Sequence, residues 1–145
     1  MKDIPKFNVI VLGIILDPEK KKILIGRREN DPEIPKLTWC FPGGRLLPGE
    51  EIDATLKKQV KLKTGYDVKN LGAFFSKTYE EKDDLLAVYF LTEVFEGEEK
   101  PGDGIVELKW VYPNELEKYL TNSFSPSGPI SGIWIYPTWP SVALL

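Results

Sequence analysis

Phe7 to Leu16 (FNVIVLGIIL) is a nearly unbroken run of apolar and β-branched residues, the pattern of a strand covered on both faces. Asp17-Pro18-Glu19 and the lysines at 20, 21 and 22 mark a solvated turn, and Ile23 to Arg28 then predicts the second strand of a hairpin-like pair. Residues 29–38, containing Pro32 and Pro35, predict a loop; Leu37 to Phe41 predicts a short aromatic strand feeding a Pro42-Gly43-Gly44 turn. Over 52–64 the pattern becomes helical, with Ile52, Leu56, Val60 and Thr64 at i, i+4, i+8 and i+12 as one apolar stripe. Asp53 near the start of this helix, and Lys61 and Lys63 near its end, complement the helix dipole, and Gly65 suits its C-cap. Three more strands are predicted at Leu71–Lys77, Leu85–Phe95 and Val106–Tyr112, separated by the acidic loops Glu80–Asp84 and Glu96–Asp103. Pro113-Asn114 opens a second helix near Glu115–Leu120, with Asn114 as its N-cap.

This order of elements predicts an α/β fold, a mixed β-sheet flanked by helices. From Ser123 the character changes: SFSPSGPISGIWIYPTWPSVALL carries four prolines and no charged residue. The expected organisation is therefore a domain over residues 1–122 and a proline-rich aromatic tail over 123–145, packed on the domain or in a homodimer interface.

Composition narrows the functional classes. The 145 residues suffice for one domain, and 42% apolar with 28% charged residues is the balance of a soluble globular protein. A net charge of −3 gives no whole-molecule attraction for nucleic acid, so no nucleic-acid partner is expected. Cys40 is the single cysteine, which excludes an intramolecular disulfide and points to a cytoplasmic protein; between Trp39 and Phe41 it reads as buried and inert. There is no histidine, so histidine metal ligands and Ser-His or Cys-His dyads are excluded. No segment has the length of a membrane span or the pattern of a signal peptide, and no membrane association is expected.

The chemistry concentrates in GGRLLPGEEIDATLKKQVKLKTGY, residues 43–66. Its spacing resembles the signature of the Nudix hydrolase family: Gly, five residues, Glu, seven residues, Arg-Glu-apolar-any-Glu-Glu, any, Gly, apolar. Gly44, Glu50, Val60, Gly65 and Tyr66 fall in register; Lys58-Gln59 stands at the Arg-Glu pair and Leu62-Lys63 at the Glu-Glu pair. The Gly43-Gly44-Arg45 start is also similar to the GDP-mannose mannosyl hydrolase branch of the family. The resemblance implies an α/β/α sandwich and a small-molecule substrate, a nucleoside diphosphate linked to another group. It further implies a divalent cation, Mg2+ or Mn2+, held by carboxylates on the helix and polarising water for attack at phosphorus.

Carried over residue by residue, the family pattern leaves Glu50 as a metal ligand or base assisted by Glu51, and Gln59 as a neutral oxygen ligand. The alternative for Glu50 is a pair with Lys58 that pins the loop to the helix. Leu62 supplies no ligand, and Lys63 brings a positive charge to the position of the dication, so metal binding of the family type is expected to be weakened or lost. Glu80, Glu81, Asp83 and Asp84 are candidate replacement carboxylates, although an acidic run between strands is more often a solvated tip. Phosphate contacts are expected from Arg27, Arg28 and Arg45, which can grip oxyanions bidentately, from the Gly43-Gly44 backbone, and from Lys58 and Lys63. The cluster of Lys57, Lys58, Lys61 and Lys63 reads equally as a solvated face. Tyr79 is a candidate to stack a base or sugar, whereas Trp39 and Phe41 fit core packing as well. Three roles follow: a weak or rearranged diphosphate hydrolase, a non-catalytic ligand- or protein-binding module, and a subunit whose tail makes an interface.

Overall fold

The structure is a computed structural model that describes residues 4–29, 39–79 and 82–120. Residues 30–38 of the loop expected over 29–38, the carboxylates Glu80 and Glu81, and the 123–145 tail lie outside the described residues. Strands β1 (Asn8–Asp17), β2 (Lys22–Arg28), β3 (Trp39–Cys40) and β4 (Gly43–Leu46) precede helix α1 (Ile52–Thr64). Strands β5 (Tyr66–Tyr79), β6 (Lys82–Gly97) and β7 (Ile105–Val111) follow, then a 3-10 turn at Pro113–Glu115 and helix α2 (Leu116–Tyr119).

Among the described residues all seven strands form one mixed sheet. Strand β1 lies at its centre, parallel to β6 from Asn8↔Leu85 to Leu16↔Glu93. Along its other edge it pairs antiparallel with β4 over Val9–Leu12 and with β2 over Ile15–Asp17. The β5–β6 hairpin widens the sheet on one side, and β7 pairs with β2 on the other.

Alternation along β1 divides the core between two layers. Val11 and Ile15 join Leu24, Val68 and Phe90 beneath Leu56 and Val60 of α1. Leu12, Ile14 and Leu16 face the opposite side, with Ile23, Ile25 and Tyr89 beneath Leu116 and Leu120. The result is the expected α/β/α sandwich. Leu56 and Val60 are fully buried, each contributing about 1.5–3 kcal/mol of apolar burial. Close helix packing depends on Gly13, where an added Cβ would lie 3.3 Å from Val60 Cγ2.

Several expectations need correction. Ile52 is 46% exposed and outside the core; the buried stripe runs through Thr55, Leu56, Val60, Lys63 and Thr64. Gly43 and Gly44 belong to β4 rather than to a turn. The acidic segments are partly strand, since Asp83, Asp84 and Glu96 lie in β6. Asn114 sits inside the 3-10 turn instead of capping a helix, and Tyr112 is the residue that precedes it. Cys40 is buried as expected, its thiol directed at the Gly26 carbonyl at 3.6 Å. No helix among the described residues is long and apolar enough to cross a membrane.

Candidate functional site

Helix α1 is fastened at both ends. Glu51 is its N-cap, and its carboxylate accepts the N–H groups of Asp53 and Ala54 at 2.9 Å each. Gly65 closes it in the left-handed conformation at φ +82°, donating its N–H to the Lys61 carbonyl at 2.9 Å. The segment after β6 then crosses the helix end: Lys100 N–H reaches the Thr64 carbonyl at 2.9 Å and Gly102 N–H the Lys63 carbonyl at 3.3 Å. Two carbonyls left open by the end of the helix are thereby paired.

Strand β4 meets α1 through two glycines. A Cβ at Gly43 would collide with the Val11 carbonyl and lie 2.8 Å from Leu12 Cα; one at Gly44 would lie 2.6 Å from Gln59 Cδ. Only glycine brings the β4 backbone this close to both β1 and the helix. In the corner so formed, Lys63 is 5% exposed. Its ammonium donates to the Gly43 carbonyl and, at 2.9 Å, to Gln59 Oε1, and lies 3.7 Å from the Asp103 carboxylate. Burial lowers the Lys63 pKa below the usual lysine value, the Arg28 guanidinium adds to that lowering, and Asp103 opposes it.

This lowering has a testable sign. Between the depressed folded pKa and the ordinary value of 10.5, the unfolded chain binds more protons at Lys63 than the folded chain does. The stability contributed by this group is fully present above that ordinary value and is lost as pH falls through the folded pKa. Denaturant midpoints of the wild type and Lys63→Met, compared from neutral pH upward, should therefore shift in favour of the wild type. A flat trend would show that the corner does not perturb Lys63, and an opposite trend that it favours the ammonium.

The other expected residues are distributed around this corner. Glu50 does not pair with Lys58; its carboxylate accepts the Leu47 N–H at 2.8 Å and ties the loop to itself. Lys57 and Lys61 are drawn into ion pairs with Asp53 at 2.9 Å and Asp67 at 3.0 Å, so the lysine cluster is not one uniform basic face. Lys58 and Arg45 are exposed. Arg27 holds Glu107 at 2.9 Å and Glu29 at 3.3 Å, whereas Arg28 lies toward Gly104 and the Lys63 corner. Asp84 accepts from Asn8 Nδ2 at 3.2 Å. Trp39 packs edge-on to Tyr119 and Phe41 edge-on to Tyr89, both core contacts. Tyr79 ends β5, and its side chain lies outside the described ones. Asp103 was not among the expected site residues; the Gly102-Asp103-Gly104 turn is its only sequence signal.

A divalent cation requires hard, preferably anionic oxygens directed at one point. Here the Gly43 carbonyl and Gln59 Oε1 are directed at an ammonium, Leu62 is 48% exposed, and Glu50 is engaged by its own loop. As folded, this donor set suits the lysine ammonium and does not fit a dication.

The sequence model of the NUDIX domain matches residues 6–128. The chain belongs to the Nudix family. An ADP-ribose pyrophosphatase of Methanocaldococcus jannaschii is 32% identical over 113 residues, 76% of this chain but only 64% of that protein's length. An 8-oxo-dGTP diphosphatase of Buchnera aphidicola is 29% identical over 86% of this chain and 91% of its own. The crystal structure of a MutT protein from Methanosarcina mazei superposes with a TM-score of 0.72 at 20% identity, covering 83% of this chain and 88% of that one. That likeness concerns the Nudix fold.

Proposed function

We propose that this chain is a Nudix-superfamily protein that recognises a nucleoside diphosphate linked to another group, with metal-dependent diphosphate hydrolysis weak or rearranged. The observation that carries this reading is the Lys63 ammonium held between the Gly43 carbonyl and Gln59 Oε1, at motif positions where the family resemblance implies a cation and its carboxylates. The names of the two relatives, an ADP-ribose pyrophosphatase and an 8-oxo-dGTP diphosphatase, support a nucleotide carrying a phosphoanhydride as the ligand class. Lys63 and Arg28 supply positive charge at the corner that Gly43 and Gly44 form by letting β4 pack against β1 and α1. Arg45 and Lys58 are exposed cations for the outer phosphate, Arg27 a further one once released from Glu107, and Tyr79 a stacking surface. Glu50 is the base to test for any residual turnover.

A second reading, a non-catalytic ligand- or protein-binding module, is favoured by one feature: the motif carboxylate Glu50 and its neighbour Glu51 are both engaged by main-chain N–H groups.

One experiment separates these readings. Purified protein is incubated with ADP-ribose, 8-oxo-dGTP and related nucleotides, with and without magnesium or manganese, while turnover and melting temperature are followed. Stabilisation by a nucleotide is the expected outcome, with slow turnover under the first reading and none under the second. Magnesium alone should leave the melting temperature unchanged, because only a ligand held by the native state raises it. Fast magnesium-dependent turnover would overturn the weak-catalysis proposal, and no response to any nucleotide would overturn recognition.

A further inference from the structure

An ammonium has three donors. Two of those on Lys63 are fixed by the Gly43 carbonyl and Gln59 Oε1. The third direction meets Asp103 at 3.7 Å, longer than an ordinary hydrogen bond. The two partners differ sharply in setting: the lysine side chain is 6% exposed and the aspartate 55%. Asp103 also sits on a turn with φ +49°, a left-handed conformation, between Gly102 and Gly104. Arg28 approaches from the same side, since a Cβ on Gly104 would lie 3.3 Å from its Nη2. A buried, fixed cation with a second cation near it therefore meets solvent through one loosely held carboxylate.

We propose that Lys63 is a tethered cation serving in place of a bound metal, and that Asp103 is its exchangeable counter-ion, displaced when a diphosphate oxygen of the ligand binds the ammonium. This rests on the diphosphate-recognition reading above and specifies how that recognition proceeds without a divalent ion. Exchange is favourable on simple grounds. An ammonium–phosphate contact of normal length is a charge-assisted hydrogen bond, and a diphosphate carries more negative charge than one carboxylate. Asp103 is already largely hydrated, so turning it outward forfeits little. Lys63 itself need not move, because its other two donors hold it in place.

The test is calorimetric titration of inorganic pyrophosphate into the protein in EDTA, so that no divalent ion is available. The wild type should bind. Asp103→Asn should bind about two- to fivefold more tightly, the effect of removing a competing carboxylate that is itself half-exposed. Glu117→Gln, which removes the same charge from α2 across the sheet, should match the wild type. Lys63→Met should bind at least about tenfold more weakly while retaining a cooperative melt; if that variant does not fold, Asp103→Asn decides alone. Binding that appears only with magnesium, or an Asp103→Asn affinity equal to or below the wild type, overturns the inference. If pyrophosphate binds in EDTA but no nucleotide does, the nucleotide reading falls and the tethered cation stands. If nucleotides bind only with magnesium, the tethered cation falls and the nucleotide reading stands.

Discussion

Lys63→Glu is expected to destabilise the protein by about 3–5 kcal/mol in metal-free buffer, the range for leaving a buried charge without its partner. The new carboxylate would face the Gly43 carbonyl and Gln59 Oε1, both acceptors, with Asp103 nearby as a like charge. Chemical denaturation with EDTA measures the loss; a change below about 1 kcal/mol would mean that the ammonium is not what closes the corner. Adding Gln59→Glu and Leu62→Glu makes the opposite experiment. Three carboxylates at positions 59, 62 and 63 lie three and four residues apart on one helix face, so they can converge on a dication. Magnesium should stabilise that triple variant and leave the wild type unchanged. A triple variant indifferent to magnesium would show that the surroundings, and not these three side chains, prevent metal binding.

Gly43→Ala is expected to cost about 3 kcal/mol. Its methyl group would strike main-chain atoms of β1, the Val11 carbonyl and Leu12 Cα, in a segment whose register with β4 runs from Val9↔Leu46 to Leu12↔Gly43. Backbone in the centre of a sheet cannot yield locally. The neighbouring Gly44→Ala meets the flexible end of Gln59 instead and should cost only about 1 kcal/mol. That milder variant should still loosen the Gln59–Lys63 contact. Equal losses for the two alanines in thermal or denaturant unfolding would refute the distinction between rigid and yielding neighbours.

Much of the fold was legible where one periodicity ruled a segment. Helix α1 begins and ends where the stripe and Gly65 place it, and β1 and β2 lie where their apolar runs predict. The exception within α1 is instructive. Successive i, i+4 steps advance about 40° around a helix, so a row from Ile52 to Thr64 drifts off any one face. Burial follows an i+3 step as well, and Lys63 enters the core side where Ile52 leaves it. The β5–β6 hairpin extends beyond its apolar centre because main-chain pairing continues through charged residues whose side chains reach water. In the site, the motif spacing made Gly44, Glu50 and Lys63 legible as positions, but not their contacts. A lysine near a helix end reads as solvated; Gly43, twenty residues away, determines that it is buried. Asp103 was beyond reach because its approach depends on main-chain hydrogen bonds between a loop and a distant helix end, which leave no pattern in side-chain chemistry.

Those hydrogen bonds give EGEEKPGDG, residues 96–104, a duty its polar composition conceals. Lys100 and Gly102 lend their amides to the closing turn of α1, and one residue further on the chain presents the lysine's counter-charge. A stretch that looks like a dispensable spacer is thus gauged to the residue: a single insertion would uncap the helix and misplace the carboxylate together. Drift in length, tolerated at most surface bends, is forbidden at this one.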